Sequence, residues 1–408
     1  MDPITTSPDI MIRTSNPPHY LIVAGDFVRT GGMDRANLAL ADYLANSSQP
    51  CIRVHLVAHS ADQSLINHPN ILFHQVPKPL KKHALGQPLL NLYGRSIASG
   101  YQAQEPLKMV VNGGNCRSDH VSINWAHYVH GAWSPVTIQT KKTDLVRNIR
   151  QNLSHLASIR HERIAYQKAP VIIANSRLTA AQISNLYQID PSRIHVVYYG
   201  TDPSQFKPVT DQERQQARAK LGLNDDLPVI TFVGALGDLR KGFDILFDAW
   251  QKLDQKRGWD AHLLVIGSGS LISYYKSRCD TGSKHQRIQF LGFRNDVHTI
   301  LAASSLLVSP TRYEAYGLNV HEALCRNIPV LVSKSAGVAE RIPTPTEADP
   351  VDMRFADGIC PEQLALRLEH WRDHQPQYAE KAEQAGSILR QHSWPERMAE
   401  WISCDRGS

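Results

Sequence analysis

The residues best suited to chemistry lie in the second half of the chain, where a buried strand is followed by a loop and a helix. The helix is predicted to begin near Gly317 and to end near Arg326, with Pro329 beyond it. At its start, the backbone N–H groups of Gly317, Leu318 and Asn319 have no acceptor within the helix and would bind a phosphate, assisted by the helix dipole. The segment therefore predicts a phosphate site.

Two glutamates flank this helix start. Glu314 precedes the helix, where the hydroxyls of a sugar attached to the phosphate would lie, and Glu322 falls about one turn inside it. An ionised carboxylate accepts hydrogen bonds from two vicinal hydroxyls, so Glu322 suits a ribose. The alternative is that both are solvated helix charges. Their position between a buried strand and a helix that starts with glycine favours a sugar-phosphate site.

Cations and a second glycine loop add to this site. Lys241 precedes a glycine after the strand at 228–234, and its ammonium could neutralise charge on a leaving phosphate. Gly31 and Gly32 follow the first strand, and their N–H groups could face a phosphate or an acceptor across a cleft. The alternative for Lys241 is an ordinary solvent-exposed lysine, and the alternative for the two glycines is an ordinary strand-to-helix turn.

The segment 124–133 (NWAHYVHGAW) is dense in polar aromatic residues. His130, which precedes a glycine, is a candidate for a hydrogen bond to a ligand. His127, three residues earlier, is the rival. A single histidine is more often a structural residue, which is the alternative for both.

Alternating strands and helices must position these residues. The rhythm predicts an α/β fold with two parallel sheets, each covered by helices on both faces. The predicted strands are 21–24, 53–58, 71–76, 108–112, 171–174, 193–198, 228–234, 262–266, 288–291, 305–309 and 328–332. The predicted helices are 37–45, 143–166, 177–187 capped by Ser176, and 244–253, followed by a helical tail from Cys360.

We predict three regions along the chain, with a hinge near 199–206. Residues 1–200 form a first, Rossmann-like domain, with a loose arm over the first twenty residues. Residues 201–375 form a second Rossmann-like domain, and 376–408 are C-terminal helices that pack back on the first domain.

Composition fits two ordinary globular domains and excludes several classes. The chain has 408 residues, 42% of them hydrophobic, and no apolar run near the ~20 residues of a membrane-spanning helix. Its N-terminus has no secretory signal pattern, and its six cysteines form no C-x-x-C pair. We therefore expect a cytoplasmic protein without a zinc site.

Charge is uneven between the halves. Residues 1–200 carry 19 Lys+Arg against 11 Asp+Glu, whereas the remainder carries 25 against 27. Lysines and leucines are mixed over 78–85 in the basic half, which suits peripheral contact with an anionic membrane. The alternative, slightly preferred on the sequence alone, is a solvated loop.

The stretch with Glu314 and Glu322 resembles the E-x7-E motif of the family 4 retaining glycosyltransferases, which have the GT-B fold of two Rossmann-like domains facing across a cleft. Segments 171–176, 194–206, 232–244 and 291–293 resemble other family segments in order and spacing. The resemblance runs over nearly the whole chain, and it is most specific in the second half.

This resemblance implies transfer of a sugar from a nucleotide diphosphate to an acceptor hydroxyl with retention. UDP-sugars are favoured, with GDP- or ADP-sugars possible, and the acceptor is a lipid, a sugar or a small molecule; no nucleic acid is expected. By the resemblance, residues 1–200 would bind the acceptor and residues 201–375 the nucleotide sugar. Glu314 would contact the donor sugar, Glu322 the ribose and Lys241 the diphosphate. His130 looks like the family's active-site histidine, which would bond to a donor-sugar hydroxyl or to the acceptor. Ala235 stands where the family often has an arginine, and Arg240 could replace that cation. No cofactor or metal is expected, in keeping with the absence of a D-x-D triplet.

Other functions stay open at this point. A degenerate, nucleotide-sugar-binding protein is favoured only by Ala235, and a nucleotide-sugar epimerase would act without an acceptor. A phosphorylase would usually need a cofactor lysine and a longer chain. A dinucleotide-dependent dehydrogenase is disfavoured, because Gly267-Ser268-Gly269 is followed by Ile272 where the third glycine of the fingerprint should stand.

Overall fold

The computed structural model describes residues 19–47, 53–101, 107–134, 144–237, 239–256, 258–279, 287–347 and 351–406. The predicted N-terminal arm, up to residue 18, lies outside the described residues, as does Cys51. None of the helices in these ranges has both the length and the hydropathy needed to cross a bilayer.

The first half of the chain forms a parallel sheet with the strand order β5-β3-β1-β6-β7-β8-β9, beside a two-stranded sheet of β2 and β4. Strands β1, β3 and β8 are buried apolar runs, as expected where helices cover both faces. The strands are β1 (His19–Val23), β2 (Asp26–Phe27), β3 (Val54–Ala58), β4 (Ser60–Ala61), β5 (Ile71–Gln75), β6 (Leu107–Asn112), β7 (Val121–Ala126), β8 (Val171–Ala174) and β9 (Ile194–Val196). The helices are α1 (Gly32–Ala45), α2 (Gln63–Ile66), α3 (His83–Ser99), α4 (Asp144–Lys168) and α5 (Arg177–Tyr187).

The second half forms another parallel sheet, with the order β12-β11-β10-β13-β14-β15. The strands are β10 (Val229–Val233), β11 (His262–Ile266), β12 (Ile288–Gly292), β13 (Leu306–Ser309), β14 (Val330–Ser333) and β15 (Arg354–Phe355). The helices are α6 (Asp211–Lys220), α7 (Phe243–Asp254), α8 (Ile272–Cys279), α9 (Val297–Ala302), α10 (Leu318–Cys325), α11 (Pro361–Asp373), α12 (Gln375–Arg390) and α13 (Trp394–Arg406). The α/β class with two parallel sheets is thus as predicted.

The C-terminal helices link the two halves. Helix α12 packs against α10, whereas α13 contacts α1 and β8. The Tyr20 hydroxyl and the Lys108 ammonium donate to the Asp405 carboxylate at 3.1 and 2.9 Å. Where the chain passes between the halves, the Thr201 N–H donates to the His392 carbonyl at 3.1 Å, so the two crossings of the chain lie side by side.

Several predicted elements were wrong or incomplete. Helix α1 begins five residues before the predicted start at 37, because Gly31 can serve as its N-cap with a φ of 84°. The segment 121–126 is strand β7, which its polar residues concealed, and the last strand is β15 rather than 328–332. The polar stretch 211–220 is helix α6, which a Thr210–Glu213 capping box starts.

Candidate functional site

A cleft of about 2670 Å³ lies between the two halves, and residues of both line it. The predicted site residues from the second half and the glycine loop of the first half all reach it. Most small-molecule sites are ~300–1,000 Å³. The size therefore leaves room for two substrates.

The predicted phosphate site lies where α10 begins. Gly317 is its N-cap with a φ of 104°, and the N–H groups of Val320 and His321 already donate to the Gly317 carbonyl at 3.0 and 3.2 Å. The amides of Leu318 and Asn319 precede the first internal bonds, so they are available to a ligand. The Asn319 side chain is used differently, since its amide donates to the Val233 carbonyl at 3.1 Å.

The glycine loop faces this helix start across the cleft. A Cβ atom added to Gly32 would lie 3.5 Å from the Leu318 Cβ. Gly31 and Gly32 thus bring the N-terminal end of α1 opposite the N-terminal end of α10. Two helix dipoles point their positive ends at one space, which favours an anion such as a diphosphate.

Glu314 is paired with cations of the lysine loop. Its carboxylate contacts the Lys241 ammonium, and the Arg240 guanidinium lies 3.6 Å away. Burial by itself would raise the pKa of Glu314, but Lys241 and Arg240 outweigh burial and hold that pKa below its ordinary value. Glu314 is therefore an ionised acceptor beside two cations. The Arg240 carbonyl accepts bonds from Thr311 Oγ1 and Arg312 N–H at 2.9 and 2.8 Å, which fixes the two loops together.

Glu322 is paired across the cleft with Arg35, a residue that the sequence analysis did not single out. The Arg35 guanidinium on α1 contacts Glu322 Oε1, and the side chains are 25% and 9% exposed. Burial raises the pKa of Glu322, and Arg35 offsets part of the rise. Only one oxygen is taken by Arg35, so the other can accept from a ligand hydroxyl.

Ala235, which stands where the resembling family often has an arginine, lines the cleft and brings no charge to it. Two arginines line the same cleft and bring positive charge to it. Arg240 lies beside Glu314, with its guanidinium 5.6 Å from the ring centre of Tyr128, and Arg35 reaches over from the first half. Besides Lys241, the cleft thus holds one arginine from each half of the chain.

The two candidate histidines have different surroundings. His127 is buried, its Nδ1 lies 2.6 Å from the Tyr199 hydroxyl, and burial lowers its pKa to about 3. Both histidines line the cleft, but the His130 side chain is 37% exposed. Geometry therefore favours His130 over His127 as a ligand contact.

The sequence analysis missed a second group of contacts around His130. The Tyr313 hydroxyl, next to Glu314 in the chain, accepts a bond from the Val129 N–H at 2.9 Å and so joins the histidine segment to the motif loop. Glu162 on α4 accepts from the His130 ring and backbone at 2.5 and 2.8 Å. The available signal was the scarcity of acidic residues in the predicted helix at 143–166, which holds only Asp144 and Glu162.

Known proteins resemble the chain in both halves. The model for "Glycosyltransferase Family 4" matches residues 30–205, and that for "Glycosyl transferases group 1" matches residues 213–359. Mannosylfructose-phosphate synthase of Agrobacterium fabrum is 25% identical over 262 residues, which are 62% of this chain and 56% of that protein. The alignments with the first curated relatives span 42% to 56% of those proteins.

Solved structures share the whole architecture. WaaG, a glycosyltransferase involved in lipopolysaccharide biosynthesis, superposes with a TM-score of 0.73 at 19% identity, over 94% of this chain and 99% of that one. HepE of Anabaena, in complex with UDP-glucose, gives a TM-score of 0.65 at 18% identity, over the same shares. The fold is therefore GT-B. With the two matched models lying end to end along it, the chain belongs to the group 1 and family 4 glycosyltransferases.

Proposed function

We propose that this protein is a retaining glycosyltransferase that moves a hexose from a nucleotide-diphosphate sugar, with UDP favoured, to an acceptor hydroxyl without a metal. The observation that carries the proposal is the convergence of the two helix starts with Lys241, Arg240 and Glu314 on one cleft. UDP is favoured because the similar HepE structure was solved with UDP-glucose.

The diphosphate would lie between the start of α10 and the glycine loop. Its negative charge would draw Lys241 away from the Glu314 carboxylate with which it is paired. Glu314 would then accept hydrogen bonds from the donor sugar, and Glu322 from the ribose. The cations and helix dipoles would supply the charge stabilisation that a metal supplies in other transferases.

In the reaction, the bond between the anomeric carbon and the phosphate oxygen breaks, and a bond to the acceptor oxygen forms on the same face. The acceptor proton passes to the departing diphosphate oxygen, so no carboxylate nucleophile is needed. Lys241 would lie where charge builds on that diphosphate. Closure of the cleft would exclude water and limit hydrolysis.

The first half would hold the acceptor and contact an anionic membrane. Leu80 and Leu85 are 78% and 45% exposed, and Lys81 and Lys82 beside them are also exposed. Apolar and basic side chains on one surface suit an anionic lipid interface. Sedimentation with phosphatidylserine vesicles should exceed that with phosphatidylcholine vesicles, and K81S/K82S should remove the difference. Equal sedimentation with both lipids would reject this contact.

We further propose a cytosolic setting. None of the described cysteines, at 116, 279, 325, 360 and 404, forms a disulfide. Reduced thiols are typical of a reducing compartment.

A thermal-shift series with UDP, GDP, ADP and their glucose and mannose conjugates tests the donor, with and without EDTA. A ligand at ~100 times its Kd adds about 2.7 kcal/mol to stability. Stabilisation by one nucleotide that persists in EDTA supports the proposal, and stabilisation that EDTA removes rejects the metal-free reading. A stabilising donor that is neither transferred nor hydrolysed would instead indicate a degenerate binding protein, and conversion of its sugar without an acceptor would indicate an epimerase.

A further inference from the structure

Glu162 is a buried acidic residue that the proposed reaction does not use. It is 1% exposed on helix α4, yet three donors surround its carboxylate. Glu162 Oε1 lies 2.5 Å from His130 Nδ1, while Oε2 accepts from the His130 backbone N–H at 2.8 Å and from the Tyr187 hydroxyl at 2.6 Å. A buried carboxylate with so many donors is held in a single orientation.

This arrangement determines how the His130 ring is protonated. A carboxylate can only accept, so His130 Nδ1 must carry a hydrogen in order to bond to Glu162. In the neutral ring the other nitrogen, Nε2, is then without a hydrogen and acts as an acceptor. The described residues give Nε2 no hydrogen-bond partner, and the ring lines the cleft.

The surroundings hold the ring in place and close to the motif loop. Tyr187 bonds to Glu162 and also accepts from the Gly131 N–H at 3.2 Å, so the residue after His130 is fixed as well. The Tyr128 ring packs edge-on against His130 with centres 4.9 Å apart, and it also packs against Tyr313 at 5.1 Å. His130 therefore faces the space beside Glu314, which follows Tyr313.

We propose that Glu162 is a positioning residue that fixes His130 with Nδ1 protonated and presents Nε2 to the cleft as a hydrogen-bond acceptor. The group that meets His130 is then a donor, a sugar or acceptor hydroxyl, rather than a phosphate oxygen. Glu162 borders the cleft, but it is only 1% exposed and His130 and Tyr187 occupy both of its oxygens, so it acts through His130. The kinetic part of this inference rests on the proposed function, but the protonation pattern can be measured without turnover.

The test uses ¹⁵N-histidine-labelled full-length protein, with the His130 signals assigned from their absence in His130→Gln. We expect Nδ1 to show the pyrrole-type and Nε2 the pyridine-type ¹⁵N shift above the titration range of histidine. In Glu162→Gln the pattern should shift toward protonated Nε2, because the amide can donate to Nδ1. Nε2 protonated in the wild-type protein would overturn the inference, as would an unchanged pattern in the variant.

Kinetics with UDP-glucose provide the second readout. Glu162→Gln should lower kcat about 10- to 100-fold, the range of a hydrogen bond to a charged group, with a smaller change in KM. The loss of kcat in the double variant Glu162→Gln/His130→Gln should be no larger than the loss in His130→Gln alone, because both substitutions remove the same contact. Fully additive losses would refute the positioning role.

Asp405→Asn is the matched control, because Asp405 is also a buried carboxylate with two donors and does not contact His130. It should leave the His130 tautomer unchanged even if the melting temperature falls. If Glu162→Gln does not fold, Glu162→Asp replaces it, and the wild-type tautomer alone still decides the inference. A protein without transferase activity but with the expected tautomer would reject the proposed function and leave this inference standing.

Discussion

The ion pair between Arg35 and Glu322 allows the sharpest test of the site. It joins helix α1 of the first half to helix α10 of the second, 287 residues apart in the chain. Glu322→Gln keeps the size of the side chain and removes its charge, and Arg35→Gln removes the partner. The double variant completes a cycle that isolates the pair.

Exposure sets the expected size of the coupling. Exposed pairs contribute ~0–1 kcal/mol, whereas breaking a fully buried pair costs ~3–5 kcal/mol. With side chains 25% and 9% exposed, this pair lies between those limits. We expect a coupling free energy of about 1–3 kcal/mol from urea unfolding of the four proteins.

Nucleotide affinity should fall independently of stability. If Glu322 accepts a charge-assisted bond from the ribose, its loss costs ~1.5–3 kcal/mol, or roughly 10- to 150-fold in the Kd for UDP by calorimetry. Glu362→Gln is the matched control, since Glu362 forms an exposed pair with Lys252, with side chains 59% and 46% exposed. That variant should change neither the affinity for UDP nor the coupling measured at Glu322.

The Arg35→Gln variant also predicts a pH dependence. Burial raises the pKa of Glu322, and Arg35 opposes that rise, so without Arg35 the pKa should rise further. A carboxyl whose folded-state pKa is raised is stabilising while protonated and loses that contribution as the pH rises through the folded value. The variant should therefore lose stability with rising pH more steeply than wild type, while its affinity for UDP improves as the carboxylate ionises.

Unchanged affinity in Glu322→Gln would refute the ribose role, and zero coupling would refute the ion pair.

Three further predictions follow from single residues. Lys241→Ala should lower kcat with UDP-glucose by about 100-fold or more and change donor affinity less, if the lysine stabilises the leaving diphosphate; equal losses in steady-state kinetics and calorimetry would make it a ground-state contact. Burial, then Asp26, raises the pKa of Asp34 to about 7, so stability should fall from about pH 4 to pH 7 at up to ~1.4 kcal/mol per pH unit. Asp34→Asn should flatten that fall in urea titrations, and an unchanged slope would contradict the assignment. Gly242→Ala places a Cβ 1.8 Å from the Pro310 carbonyl oxygen and should therefore lower the melting temperature. The control is Gly222→Ala, because Gly222 has a similar φ of 69° but open space around it, and its melting temperature should fall far less. Equal losses in the two variants would contradict the clash.

Local patterns predicted much of the fold. Ser176 caps helix α5, as predicted, because the cap depends on a bond only three residues long, from the Thr179 N–H to the Ser176 hydroxyl. The long apolar runs of β1, β8 and β10 can only be buried strands when both faces of a sheet are covered. Where local patterns conflicted with the sheet, as in β7 with its polar Asn124, prediction failed because tertiary pairing decides.

The sequence by itself determined the residue types at the site. A glycine that must adopt a positive φ at the start of α10, two glutamates eight residues apart and a lysine before a glycine all follow from short-range spacing. These features carry the resemblance to a glycosyltransferase family, which the matched models confirm.

Only the tertiary structure decided which groups meet. Arg35 pairs with Glu322 across the cleft. Glu162 bonds to His130 from helix α4, which begins 14 residues after His130 in the chain. No spacing rule connects residues on different elements, because their contact depends on how two sheets and the C-terminal helix α13 pack together. Burial and neighbouring charges together then set the pKa values: Lys241 and Arg240 hold the pKa of buried Glu314 below its ordinary value, whereas Arg35 alone leaves the pKa of buried Glu322 raised.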